Sequence, residues 1–383
     1  MNLKKLNIWD LGNKINVKVR TDFIDLLNTQ VTKTFRSKRN VHKELEKIYC
    51  LPFSIFANRT KRSYTYFIDL EILVSLCVIL KIPLTELQNN VIAYKTRKGR
   101  NYIEKPKLPI EITPIFDMLV AHHIGDGTVV NPKKNRKPYF GYRQFDDQYR
   151  NLYLRKIESV FGNMKYKDNY CDDKNTTRIY FPVVVSNLMF QVYNLQLDSF
   201  KSEIARIPTE IFGKDWKHQL AFLLGIIIDE GHVDSSLVLI RMKNKEFIED
   251  LNQLCINLSY SCSMRKGKEG MYCLYILSRS ISNFYQDYQS LLREFPEVNL
   301  GWKGQKVFEI LQRSQKPKIY LPGNKPKIMK ILEKEELTVN ELAKILNITR
   351  QGARYLVKEL LKEGKITIVS SSKYGAGRYG LKE

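Results

Sequence analysis

Leu119-Val-Ala-His-His-Ile-Gly-Asp126-Gly127 is an apolar run that closes on an acid and a glycine. Leu223-Leu-Gly-Ile-Ile-Ile-Asp-Glu230-Gly231 closes the same way, its acid 104 positions on (126 to 230). Each run predicts a helix with almost no polar face, which must be buried on most sides. Ending a buried helix on a carboxylate is costly, and a chain that does so twice predicts two copies of one unit. Thr113-Pro114 caps and opens the first helix, with Pro where no amide hydrogen is needed. Ala121 and Gly125 share one helical face, as do Gly225 and Asp229, so small residues let two backbones approach closely. Packed in parallel, the helices deliver Asp126 and Glu230 to one place, at C-terminal ends that are negatively polarised.

The surrounding pattern recurs in phase with these motifs. After Asp126, alternation predicts a strand over 139–144, periodicity a helix over 148–160, then strands over 164–167 and 177–182 and a helix over 185–193. After Glu230 come a strand over 237–242, a helix over 245–258, a hairpin of 262–268 and 271–277 around Gly267 and Gly270, and a helix over 281–292. Each half reads αββαββα, the first over 111–205 and the second over 206–315. The expected fold class is α+β, a pseudo-twofold pair of such repeats.

Residues 1–95 read as a helical domain of helix-turn-helix type. A helix over 41–48 breaks at Leu51-Pro52, and a short helix capped by Ser54 carries Asn58, Arg59, Lys61 and Arg62. A further helix runs from Asp69 to Ile82-Pro83. Arg59 and Arg62 are then DNA contacts, or these helices simply pack on one another. Residues 96–110 are basic, Pro-rich and aperiodic, as in a linker. Residues 316–383 predict a winged helix: a helix over 327–332, a capping box at Thr338-Val-Asn-Glu341, a third helix over 349–361 stopped by Gly364, and strands flanking a Ser/Lys/Gly wing. Arg350, Gln351 and Arg354 fall on the exposed side of the third helix, serving DNA contact or dimerisation.

The chain has 383 residues, with 63 Lys and Arg against 40 Asp and Glu, a net charge of +23 that favours a polyanionic partner. A run of about 18 apolar residues, a lipidation signal and a secretory leader are all missing from the pattern, so no membrane partner is expected. Six cysteines lie scattered without a CxxC pair, which points to a reducing, cytoplasmic and nucleoid-associated setting. Two converging carboxylates repel unless a cation neutralises them, and hard oxygen ligands suit Mg2+, or Mn2+ in its place.

These motifs and the twofold order resemble the LAGLIDADG homing endonucleases in their monomeric, two-motif form, over residues 111–315. The resemblance implies a saddle of two antiparallel sheets on double-stranded DNA and metal-dependent cleavage of both strands, leaving short 3′ overhangs. The family's metal-binding acids fall on Asp126 and Glu230, with Gly125 and Asp229 beside them at the metal. A basic or amide residue near the attacking water falls in Arg143-Gln144 and Arg241-Met-Lys243. Gln144 and Lys243 are the residues assigned to it, or else strand residues touching a phosphate. Arg143, Arg241, Lys266 and Lys268 are the DNA-side residues, although for the two lysines a solvated turn is the preferred reading. His122 and His123 stand at positions usually aliphatic, either as satisfied core histidines or near the metal. Asp229 stands at a position usually small, where it loosens the helix approach or supplies an extra carboxylate. The N-terminal region is similar to phage-repressor helix-turn-helix proteins.

The implied function is a site-specific double-strand DNA endonuclease. A transcription regulator that keeps the scaffold without cleavage is the alternative, and an RNA-binding splicing maturase is a third. An intein is disfavoured, for lack of a starting nucleophile and a terminal His-Asn.

Overall fold

Two helices, Pro114–Ile124 and Trp216–Glu230, form the buried centre of the chain. The structure is a computed structural model that describes residues 5–12, 14–47, 53–60, 66–130, 139–144, 146–165, 167–171, 176–233, 237–315, 323–371 and 377–382. Every residue of the first helix is buried, as are His218 to Ile228 of the second. Burying each large apolar side chain contributes about 1.5–3 kcal/mol, which outweighs the weak helix propensity of the Ile-rich second run. Asp215 caps that helix, accepting from the amides of Lys217 and His218. Thr113 stands at the N-cap of the first but makes no side-chain cap bond, contrary to expectation; Pro114 begins the helix and needs no donor's partner.

The helices pack in parallel and close together. His218 meets Asp117 at one end, and Gly225 lies against Met118 and Ala121 in the middle. At the far end Gly125 lies against Asp229 and His122 bonds Asp229. A Cβ built on Gly225 would fall 2.8 Å from the Ala121 Cβ and 2.9 Å from the Met118 carbonyl oxygen. One built on Gly125 would fall 2.8 Å from the Asp229 Cβ. Asp229 therefore does not loosen the approach, because a glycine stands opposite it.

Four-stranded antiparallel sheets follow each helix. The first comprises Gly127–Val130, Tyr139–Arg143, Lys167–Cys171 and Thr176–Tyr180; the second Gly231–Val233, Val238–Met242, Cys262–Lys266 and Tyr272–Ile276. Numbered within its own half, each sheet has the spatial order first, second, fourth, third. Helices Asp147–Phe161 and Lys245–Asn257 connect second to third strand, and Val183–Val192 and Ile281–Glu294 follow the fourth. A helix that the sequence pattern did not predict, Trp302–Gln315, comes after the second half.

The N-terminal region departs from an all-helical domain. Helices Thr21–Phe35, Lys38–Glu46, Phe53–Arg59, Leu70–Ile79 and Leu84–Asn89 form, but Ile15–Val19, Ile68–Asp69 and Val91–Thr96 are strands. Val91–Thr96 is a mostly buried strand without clean alternation, which a reading tuned to periodicity passes over. Ser54 is a helical residue of Phe53–Arg59 and not its cap. The expected linker contributes a strand as well. Tyr102–Glu104 pairs with Val91–Thr96 on one side and with Asn163–Lys165 on the other, completing a five-stranded sheet with Ile103 fully buried. Residues 163–165, expected within the first repeat's own sheet, are thus taken by the N-terminal one.

Residues 1–313 form one compact unit and 314–383 another. In the latter, helices Asn324–Leu332, Val339–Ile345 and Arg350–Lys362 stand with a sheet of order Leu337–Thr338, Gly377–Leu381, Ile366–Ser371. The capping box forms: Thr338 Oγ1 accepts from the Glu341 amide at 3.3 Å, and Glu341 Oε2 accepts from the Thr338 amide at 2.8 Å. Gly364 takes φ +66°, a left-handed value that ends the third helix. Ile328, Leu332, Leu342, Val357 and Leu360 fill its core. The wing's tip, 372–376, lies outside the described residues. Among the described residues no helix is long and apolar enough to cross a membrane.

Candidate carboxylate centre and nucleic-acid interface

Asp126 follows the end of the first central helix and Glu230 ends the second, both half-buried. Parallel packing brings the Glu230 charge near enough to be felt at Asp126. The Asp126 carboxyl is pushed up to about 8, by burial first and then by the charges of Asp229 and Glu230. Glu230 is also raised, by burial and by Asp229. The Gln144 side-chain amide donates to Asp126 Oδ2 at 3.0 Å and favours its ionised form. Gln144 directly follows the second strand of the first sheet, so this expected partner of the acid lies beside it.

Asp229 does a different job from the one expected. Its side chain is fully buried and both oxygens are engaged: Tyr142 donates to Oδ1 at 3.0 Å, and His122 Nδ1 stands 2.9 Å from Oδ2. Burial raises Asp229 to about 8 and holds His122 well below the usual imidazole range, so both uncharged forms are favoured. A carboxylate with both oxygens occupied in the interior makes a poor extra metal ligand. Tyr142 stacks on Tyr153 at 3.8 Å and 11°, and Tyr153 in turn bonds His123 Nε2 at 2.7 Å. His122 and His123 are therefore buried core histidines, each bonded through one ring nitrogen to a buried side chain. Lys156, buried beneath this network, is lowered to about 7 by burial against the pull of Asp229.

The register of the two sheets separates the expected partners of the two acids. Gly127 pairs with Tyr142, and Gly231 pairs with Ile240. Tyr142 thus corresponds to Ile240, Arg143 to Arg241, and Gln144 to Met242. Met242 is buried and apolar, and Lys243 is exposed one residue further on, where alternation turns it away from Gln144's counterpart. Lys243 is therefore not the second half's equivalent of Gln144. Arg241 is exposed on the outer face of its strand, in register with Cys273 and Arg265. Arg265 lies 5.6 Å over the Tyr275 ring on that face. Neither Arg265 nor Tyr275 was singled out in the sequence, although strand alternation groups them with Arg241. Lys266 is exposed but in register with Tyr272 and Met242, on the opposite face, and Lys268 is exposed in the turn. Arg143 is half-buried, and His232 is exposed.

Arg350, Gln351 and Arg354 are all exposed on the third helix of residues 314–383. The Arg59 side chain, Arg62 and Asp234 lie outside the described residues. Another basic residue, Lys303, went unnoticed in the sequence. It is 6% exposed, and its ammonium donates to the carbonyls of Ile227, Ile228 and Gly231 at the end of the second central helix. Beside Trp302 and three residues before Lys306, nothing local marks this lysine as buried.

Among the described residues no three His, Cys, Asp or Glu side chains form a metal cage. Two half-buried carboxylates whose mutual repulsion a cation would relieve do fit Mg2+ or Mn2+, which take one or two carboxylates and complete their shell with water and phosphate oxygens. Asp126 and Glu230 are the residues that would hold it.

Residues 323–367 match the family described as winged helix-turn-helix DNA-binding. No curated protein matches the chain. Among solved structures, variants of the homing endonuclease I-DmoI align at 18% identity over 46% of this chain and 96% of theirs, with a TM-score of 0.35. The homing endonuclease I-WcaI bound to its DNA recognition sequence aligns at 16% identity over 45% and 80%, also with 0.35. Full-length DUF199/WhiA from Thermatoga maritima aligns at 12% identity over 65% and 90%, with 0.31.

Proposed function

We propose that the chain is a site-specific double-strand DNA endonuclease of the two-motif homing type, acting as a monomer and leaving short 3′ overhangs. Its halves, 111–205 and 206–315, are then related by a pseudo-twofold axis running between the central helices. The observation that carries this reading is the pair of acids leaving the same end of two parallel, closely packed helices. The identical strand order of the two sheets and the charge of +23 support it. So does the winged helix-turn-helix match, which favours a DNA partner.

Asp126 and Glu230 hold the divalent ion, and Gln144 fixes the direction of the Asp126 carboxylate. The ion, when bound, polarises a phosphoryl oxygen and lowers the pKa of a water. Arg241, Arg265 and Arg143 neutralise phosphates flanking the cut, and Tyr275 offers a face for sugar or base. Burial of Asp229 behind Tyr142 and His122 keeps Gln144's neighbours rigid without competing for the ion.

Incubation with a library of long duplexes and Mg2+ tests the proposal. The wild type is expected to cut one long site, whereas Asp126→Asn and Glu230→Gln bind it without cutting. Met242 in place of a second Gln144 favours one other reading, a DNA-binding transcription regulator that keeps the scaffold. Tight binding by the wild type with no cleavage of any duplex would establish that reading and overturn the first.

A further inference from the structure

We infer that Lys303 is a positioning residue of the carboxylate centre, clamping the main chain from which Glu230 leaves. The inference rests on reading Asp126 and Glu230 as a metal site. The last carbonyls of a helix lack intrahelical partners and carry partial negative charge. At the end of Trp216–Glu230 three carbonyls converge: Ile227, which also accepts from the Gly231 amide, Ile228, and Gly231 just past the helix. Their oxygens lie 2.9, 2.5 and 2.7 Å from the Lys303 ammonium. Oxygens so arranged repel one another unless a cation stands between them.

The turn is tight as well. A Cβ on Gly231 would lie 2.4 Å from the Ile227 oxygen and 2.7 Å from its Cα, so only glycine follows Glu230 here. Glu230 sits between Ile228 and Gly231, and Lys303 holds both. The direction of its side chain is thereby fixed from either side.

An ammonium has three donors, and all three are used. Buried and saturated, Lys303 has nothing left for a phosphate or a water, so it acts through the main chain of others. Burial pulls the ammonium below the usual lysine range and the nearby carboxyls pull it back, while its charge is felt at Asp126, Asp229 and Glu230. The residue comes from Trp302–Gln315, a helix outside the recurring order of the two halves. The second acid is thus held by a part of the chain that the repeat itself does not supply.

Mn2+ affinity measured by calorimetry on the full chain without DNA tests this, beside DNA affinity in Ca2+ and strand-resolved cleavage in Mg2+. Residues that orient metal ligands typically change affinity about 10–100-fold when lost. Lys303→Met is expected to weaken Mn2+ binding at least about tenfold on that scale, with Lys303→Arg recovering most of the loss. DNA affinity should stay within about twofold, since a buried ammonium neutralises no phosphate. Should Lys303→Met fail to fold, Lys303→Gln, which keeps a donor without the charge, takes its place. A role of charge alone would tighten Mn2+ binding when the positive group is removed. Tighter or unchanged Mn2+ affinity in the uncharged variant therefore overturns the inference. Wild type that binds Mn2+ but cuts no duplex overturns the endonuclease proposal and leaves Lys303 judged on its Mn2+ data. Wild type that binds no Mn2+ overturns both.

Discussion

Gly225→Ala adds one methyl group at a point where the central helices are in close contact. Alone, the change favours the helix by about 0.8–1.0 kcal/mol, because glycine loses the most backbone freedom on folding. Against this, the new Cβ would stand 2.8 Å from the Ala121 Cβ and 2.9 Å from the Met118 carbonyl oxygen. Neither neighbour is the end of a flexible chain: one is a Cβ and the other a backbone atom, so relief requires the helices to part. Overpacking of this kind costs about 1–3 kcal/mol, and a double clash with rigid atoms belongs at the upper end. The net expectation is a loss of about 1–2 kcal/mol, or a few degrees in Tm at this size. Gly213→Ala is the control, since its added Cβ meets nothing nearer than the Glu210 oxygen at 3.7 Å. Thermal unfolding of both variants beside the wild type, followed by near-UV circular dichroism, measures the difference. A Gly225→Ala protein as stable as the wild type, or more so, would refute close parallel packing and with it the meeting of the two acids. The same variant should also lower Mn2+ affinity, because parting the helices separates Asp126 from Glu230.

Asp126 and Asp229 each rise from 3.8 to about 8, so the folded chain holds more protons than the unfolded one between those values. Their share of the stability, present at pH 4, should therefore be lost as pH climbs through 8, against an opposing contribution from buried His122, His123 and Lys156; urea titrations at pH 5 and 8 in which Asp126→Asn leaves the wild-type slope unchanged would contradict the burial of that carboxyl. Asp229→Ala leaves the Tyr142 hydroxyl and His122 Nδ1 without their partner, a loss of about 1–3 kcal/mol for each group, whereas Asp229→Asn should cost less; equal midpoints in urea would show that Asp229 is solvated instead. At the other end of the helices, fully buried Asp117 accepts from Lys214 at 2.8 Å and from Tyr193, and lies 2.7 Å from His218 Nδ1. Asp117→Ala strands the lysine's charge at a cost of about 3–5 kcal/mol; a change under 1 kcal/mol in the urea midpoint would mean the cluster binds the halves together only weakly.

The two central helices were legible because nothing but burial explains runs of that apolarity, and their glycines because close approach demands them. The strands near 139–144, 177–182, 237–242, 262–268 and 271–277 followed from alternation, whereas Gly127–Val130, Lys167–Cys171 and Gly231–Val233 did not; the capping box at Thr338 and Glu341 came from a local rule that needs no tertiary partner. The N-terminal strands were lost for a physical reason. Short stretches such as 91–96 and 102–104 become strands only when a sheet is there to receive them, and part of that sheet comes from residues 163–165.

The site divides along the same line. Sequence alone determined which residues carry the acids, because a helix end and the glycine after it are properties of a few neighbouring positions. Gln144 could be named since it lies at a strand end, a position fixed by counting. Tertiary structure decided the rest. It turned Asp229 inward onto Tyr142 and His122, aligned buried Met242 with Gln144 in place of Lys243, and brought Lys303 from 72 positions beyond Gly231 to its carbonyl. Periodicity says which face a residue occupies, but only three-dimensional packing says what that face meets.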